Sequence, residues 1–305
     1  MILSVSRRTD IPAFYSEWFV KRLKEGFVYS RNPVNHKMVS KIILSPDLVE
    51  AIVFWTKNAI PLVQYLDEIE KIGYDKYCFL YTITNYSNDI ERYLFNKKEI
   101  VDNFILLSKR IGKEKMIWRY DPILLNDRYD LNFHKESFKE LCEQIGEYCD
   151  HVVISFIDIY TRNKDYFKEV SEERKLDILK NFLDIAKPKG IPIHSCCEQQ
   201  TEAQYLRKTA CISCELIKSV TGLDAHYQKD KGQRKECLCL ESVDIGAYNT
   251  CGNGCTYCYA DRGVNVMSKY DLNSPILCDK IYNDDVIKER VNRKIINGQL
   301  TLEGF

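Results

Sequence analysis

Ala51-Ile-Val-Phe-Trp55-Thr-Lys57-Asn58 is an unbroken apolar run that turns polar over its last three residues. A half-exposed strand alternates, whereas an unbroken run fits a strand buried on both faces, as in a parallel sheet. Similar runs recur at Ile2–Val5, 77–83, 116–118, His151–Phe156 and 191–193. Between them the apolar spacing is helical. Leu62, Leu66 and Ile69 share one face after Pro61; Phe138, Leu141 and Ile145 share a second, and Leu176, Leu179 and Leu183 a third. Gly26, Gly73, Gly112 and Gly146 fall where helices stop.

Six strand–helix rounds predict an α/β fold, either a TIM-like barrel or a partial (β/α)6 barrel. The stretch 38–44 is a candidate extra strand. Residues 1–210 are expected as the barrel-like domain. Residues 211–305 are expected as a cysteine-rich iron–sulfur extension packed on the barrel mouth, with a closing helix over 284–296.

With 305 residues, 45% hydrophobic, the chain can bury a substantial core. Lys plus Arg is 44 and Asp plus Glu is 44, so overall charge gives no reason to expect nucleic acid or a membrane surface. No apolar run reaches the roughly 18 residues of a membrane span, and Met1-Ile-Leu-Ser-Val-Ser-Arg7-Arg8 lacks a hydrophobic signal region. The expectation is a cytoplasmic protein with no membrane partner.

Parallel α/β folds place their sites at the C-terminal strand ends. Those ends are polar here: Ser6-Arg7-Arg8-Thr9-Asp10, Thr56-Lys57-Asn58, Thr82 with Thr84 and Asn85, Arg119-Tyr120-Asp121, Ser155 with Asp158, and His194 with Cys196, Cys197 and Glu198. Arg, Lys and Asp at one mouth suit a charged ligand. As ordinary loop residues and ion pairs they would need no ligand.

Thirteen cysteines are present, and nine lie between Cys196 and Cys258. In a reducing compartment that clustering reads as metal ligation. Cys251-Gly-Asn-Gly-Cys255-Thr-Tyr-Cys258 has CxxxCxxC spacing. Three thiolates can hold three irons of a cubane 4Fe-4S cluster and leave the fourth open. A second, closed cluster is expected on Cys197, Cys211, Cys237 and Cys239, with Cys196 and Cys214 as alternates for Cys197 and Cys211. The competing reading is structural zinc on Cys211-x-x-Cys214 and Cys255-x-x-Cys258. Cys78, Cys142, Cys149 and Cys278 read as buried apolar residues. The five histidines read as surface or core residues, with His194 the exception because it is close to a cysteine pair. Tyr257 and Tyr259 are placed to shield a cluster.

The CxxxCxxC spacing resembles the cluster motif of radical S-adenosylmethionine (SAM) enzymes, where it follows the first strand rather than the last. Residues 6–12, 54–58, 118–122, 155–158, Gln233-Arg234 before Cys237-x-Cys239, 244–248 and 251–260 together resemble the DUF1848 family. The resemblance covers about residues 1 to 260. It implies the fold and the cysteine cluster and supplies no substrate.

The resulting expectation is a radical SAM-like iron–sulfur enzyme acting on a small polar substrate. Cys251, Cys255 and Cys258 would hold the open cluster, Arg7, Arg8 and Arg119 would position SAM, and Lys57 and Asp121 would serve catalysis. A ferredoxin or flavodoxin would supply electrons. One alternative keeps the cluster and uses the open iron for Lewis-acid or sulfur chemistry without SAM. Another is a metal-stapled barrel binding an anionic or nucleic-acid ligand, weakly favoured by the polar stretch 229–235.

Overall fold

The computed structural model describes residues 1–197, 206–261, 263, 266–290, 293–296 and 299–302. Glu198 lies outside the described residues. The strands are β1 (Ile2–Val5), β2 (Phe27–Arg31), β3 (Met38–Ile43), β4 (Ala51–Thr56), β5 (Tyr77–Thr82), β6 (Met116–Ile123) and β7 (His151–Phe156). They continue with β8 (Ile193–Ser195), β9 (Arg207–Lys208), β10 (Val243–Asp244), β11 (Val286–Glu289), β12 (Arg293–Ile296) and β13 (Gln299–Leu302). The helices are α1 (Ile11–Phe14), α2 (Ser16–Glu25), α3 (Ile60–Val63), α4 (Leu66–Lys71), α5 (Lys97–Ile111), α6 (Leu131–Ile145), α7 (Glu172–Ala186) and α8 (Cys214–Thr221).

Eight strands form one sheet in the order β10-β1-β4-β5-β6-β7-β8-β9. Every neighbouring pair is parallel. From β1 onward the spatial order follows the chain order, so each new strand is added on the same side. The edge strands β9 and β10 do not pair with each other among the described residues, so the closed TIM-like form is not observed there. The six strands read from sequence are all present, and the two extra ones are two-residue edges too short to carry periodicity.

Side chains on alternate strand positions enter two cores. Ile52 and Phe54 join Phe79, Trp118 and Ile154 against residues of the major helices, including Phe19, Phe104, Phe138 and Phe182. Ala51, Val53 and Trp55 face the other way with Leu80, Ile117 and Val153. That second face is covered by α8 and the cysteine segment: Ile212, Leu216 and Ile217 pack there with Cys211, Cys237 and Cys239. Both faces of β4 are thus buried, which is why its sequence does not alternate.

The helices read on Phe138, Leu141 and Ile145 and on Leu176, Leu179 and Leu183 form, whereas the stripe Leu62, Leu66 and Ile69 is split between α3 and α4. Helices α2, α4, α5 and α6 stop at or just before Gly26, Gly73, Gly112 and Gly146. Asp130, Ser171 and Ser213 cap α6, α7 and α8 by accepting N3 backbone N–H groups. The sixth strand begins at Ile193 rather than Ile191, because Pro192 has no N–H to give to a ladder. The stretch 38–44 does form a strand, but β3 pairs antiparallel with β2 and parallel with β11 in a separate sheet. The tail expected as a helix is extended: β11 lies on β3, and β12 pairs with β13. Its β-branched pairs Val286-Ile287 and Ile295-Ile296 favour strand, and the free edge of β3 supplies partners. No helix among the described residues is long and apolar enough to cross a membrane.

Candidate functional site

The topology decides where the CxxxCxxC loop lands. Because β10 is parallel to β1, the chain leaving β10 emerges at the same end of the sheet as residues 6–10 and 57–58. Asp244 locks this edge: its carboxylate accepts from Ser4 Oγ at 3.0 Å, Ser6 Oγ at 2.6 Å, and the N–H groups of Arg7 at 2.8 Å and Gly246 at 3.0 Å.

From there the loop folds over the strand ends. Asn253 O accepts from Tyr93 N at 3.1 Å, and Thr256 N donates to Ile90 O at 2.9 Å. Tyr15 Oη donates to Thr250 O at 2.5 Å. The glycines permit this close fit. A Cβ on Gly252 would lie 2.6 Å from Phe14, and one on Gly254, whose φ is +63°, would lie 2.6 Å from Tyr93.

Two carboxylates hold the loop from below. Asp10 accepts from Thr56 Oγ1 at 2.7 Å, Lys57 N at 2.7 Å, Asn253 Nδ2 at 3.1 Å and Ala13 N at 3.1 Å. Burial raises its carboxyl above the ordinary value despite these donors. Glu91 is fully buried and accepts from Lys57 Nζ at 2.7 Å, Tyr257 Oη at 2.8 Å, Thr84 Oγ1 at 2.9 Å, and Lys97 Nζ. Burial alone would push Glu91 up, but the two lysines outweigh it and hold it at about 2. Two lysines against one carboxylate leave an excess positive charge, and Cys255 lies in the field of both.

Cys255 is buried, while Cys251 and Cys258 are partly so. Burial pushes the Cys251 thiol up to about 12, and raises Cys255 and Cys258 as well. A cavity of about 770 Å³ adjoins Gly254, Cys255 and Thr256, walled by Arg92, Tyr93, Arg162, Tyr166 and Asp261 among others.

A second group of cysteines lies apart from this loop. Cys196 Sγ is 3.8 Å from Cys197 Sγ and 3.2 Å from Cys211 Sγ. Cys237 contacts Cys197 and Cys239, and Cys239 contacts Cys211, which closes a five-sulfur ring. Hydrogen bonds from Cys211 and Cys237, then the Arg7 guanidinium, hold Cys239 toward the thiolate. Cys214 is exposed at the start of α8, outside the ring, so the zinc set drawn through Cys211 and Cys214 is not assembled. Among the described residues, no three or more His, Cys, Asp or Glu side chains are gathered to hold one metal ion. A cubane makes a different demand, since each thiolate binds its own iron.

Of the expected ligand-positioning residues, Arg7 and Arg119 lie over Trp55, 4.9 Å and 5.0 Å from its ring centre. The cysteines acting on them belong to the five-sulfur ring. Arg8 lies over Tyr248 at 5.4 Å. Lys57 is paired to Glu91, and Asp121 accepts from Arg119 and Ser155 Oγ. Arg234, from the polar stretch 229–235, pairs with Asp158 beyond β7. The His194 ring lies tilted by 39° against His151, with ring centres 4.4 Å apart. Glu91 and Lys97 were missed by sequence reasoning: they flank an irregular segment with no motif.

The family described as "Domain of unknown function (DUF1848)" matches residues 2–260, and the chain belongs to this family. A comparison with curated proteins gives no match.

Proposed function

We propose that the chain is an iron–sulfur enzyme of the radical SAM type, built on a partial barrel and acting on a small polar substrate. One observation carries the reading. The CxxxCxxC loop is late in sequence but follows β10, the strand that opens the spatial order of the sheet. The discrepancy with radical SAM enzymes, whose motif follows the first strand, therefore disappears in space.

The donor set suits such a group: three thiols lie beside two lysines and one carboxylate, and the Lys57 charge partly offsets the burial that raises Cys255. Cys251, Cys255 and Cys258 would hold a 4Fe-4S cluster, which would supply an open iron for the amino and carboxylate groups of SAM and one-electron chemistry fed by ferredoxin or flavodoxin. The chain's own residues do the rest. Glu91 and Asp10 fix the loop, Lys57 after β4 and Asp121 in β6, with β5 between those strands, serve proton transfer, and the adjoining cavity takes the substrate.

The test is anaerobic incubation with dithionite and SAM. Formation of 5′-deoxyadenosine and methionine, lost in Cys255→Ala, supports the reading. An assembled cluster that leaves SAM intact rejects it and selects iron–sulfur chemistry without SAM. That second reading has its own support, because the cysteines acting on Arg7 and Arg119 are those of the five-sulfur ring.

A further inference from the structure

The five-sulfur ring has features that packing alone does not account for. Its members come from three segments: Cys196 and Cys197 after β8, Cys211 before α8, and Cys237 with Cys239 before β10. Cys211, Cys237 and Cys239 are buried. A thiol is a weak donor and a weak acceptor, so five of them partnering one another on a sheet face gain little as thiols. Cys197 also adopts a φ of +61°, a region that non-glycine residues occupy at a cost and keep where their surroundings over-determine it.

The ring is bordered by cations. Arg7 acts on Cys239 and Cys211, and Arg119 on Cys211 and Cys196. Their guanidinium groups are incompletely satisfied. Arg7 Nη2 and Arg119 Nε are buried with no hydrogen-bond partner among the described residues. A buried N–H of a charged group left unpaired costs more than a neutral one, so an anionic acceptor next to both is the missing element.

We infer that Cys196, Cys197, Cys211, Cys237 and Cys239 form a second, closed iron–sulfur site, separate from the CxxxCxxC loop, with Arg7 and Arg119 as its counter-ions. Binding releases the thiol protons to solvent and replaces the S–H contacts by metal–sulfur bonds. Four thiolates around a cubane cluster carry about two net negative charges, matching the two guanidinium groups. Five sulfurs exceed four ligands by one, and Cys196 and Cys197, being adjacent, compete for one position. All the ligands come from the protein, so the site offers no open coordination for a substrate. The inference does not depend on SAM chemistry.

The test uses the full chain purified anaerobically, with Cys251, Cys255 and Cys258 all changed to Ala. The expected result is retention of about four irons with sulfide per chain. About one zinc without sulfide would overturn the assignment. Cys211→Ser and Cys239→Ser added to that background should lower the metal at least tenfold. A folded triple variant without metal would overturn the inference. If the variants fail to fold, the unaltered protein decides. Alkylation of Cys211, Cys237 and Cys239 should be at least tenfold faster after the metal is stripped with chelator and ferricyanide, these are removed, and the freed sulfurs are reduced back to thiols with a phosphine that is present in the untreated control as well. An unchanged rate would overturn it equally.

Discussion

The Tyr257 hydroxyl donates to Glu91 Oε1 at 2.8 Å, which ties the CxxxCxxC loop to a buried carboxylate already holding two lysines. Tyr257 also faces the Lys57 ammonium across its ring at 5.6 Å. The loop is therefore part of a charge network and more than a flap laid over the strands.

Glu91→Gln is expected to cost about 3–5 kcal/mol, because Lys57 and Lys97 lose their shared counter-charge in a buried site. The pH dependence has a definite sign. The Glu91 carboxyl drops from 4.5 to about 2 on folding, so its contribution is complete above about 4.5 and is lost as pH falls toward 2. That difference corresponds to ~3 kcal/mol. Urea unfolding from pH 7 to pH 2.5 should show the gap between wild type and variant shrinking across that window. A constant gap would reject the assignment.

Asp10→Ala removes the acceptor of four donors, including Asn253 of the loop. The expected loss is about 2–4 kcal/mol. Cys251 should also react faster with iodoacetamide in the metal-free protein, since the loop loses its anchor to β4. Asn253→Ala should reproduce the reactivity change with a smaller stability loss.

Gly254→Ala meets two obstacles, a φ of +63° and the Tyr93 ring at 2.6 Å. A loss above about 1 kcal/mol is expected from the backbone term alone. Adding Tyr93→Ala should relieve the clash without restoring full stability. Complete rescue by the double variant would show that the ring contact alone was responsible.

His134 is buried, with Nδ1 3.0 Å from Tyr120 Oη and Nε2 2.8 Å from Leu124 O. Burial lowers its value from 6.5 to about 4. A neutral buried histidine gives its full contribution above about 6.5 and loses it as pH falls toward 4. Nuclear magnetic resonance should find it neutral at pH 5.5. Tyr120→Phe is expected to cost about 1 kcal/mol.

The long buried strands could be read from sequence because burial on both faces leaves an apolar run, as at residues 51–55. The helices could be read from their stripes and terminal glycines. The edge strands β9 and β10 could not, since two residues have no period, and one of them decides where the cysteine loop goes. The separation of Cys251, Cys255 and Cys258 from the ring follows the spacing in sequence. Cys196 joined the ring although the main expectation was Cys197 alone, because spacing cannot say which way neighbouring side chains turn. Glu91 was silent: its partners lie at separations of 34, 6 and 166 residues, and no local pattern encodes such meetings.

The position of β10 also bears on the order of events in folding. The first place in the sheet is filled by residues 243–244, paired to residues 3–4, so the earliest strand waits for nearly the whole chain before it gains its outer neighbour. Contacts of such long range form late and slowly. A nascent chain can assemble its helices and central strands while the edge of β1 is still bare, which exposes it to wrong pairing. Synthesis of the last quarter of the protein thus protects the first few residues.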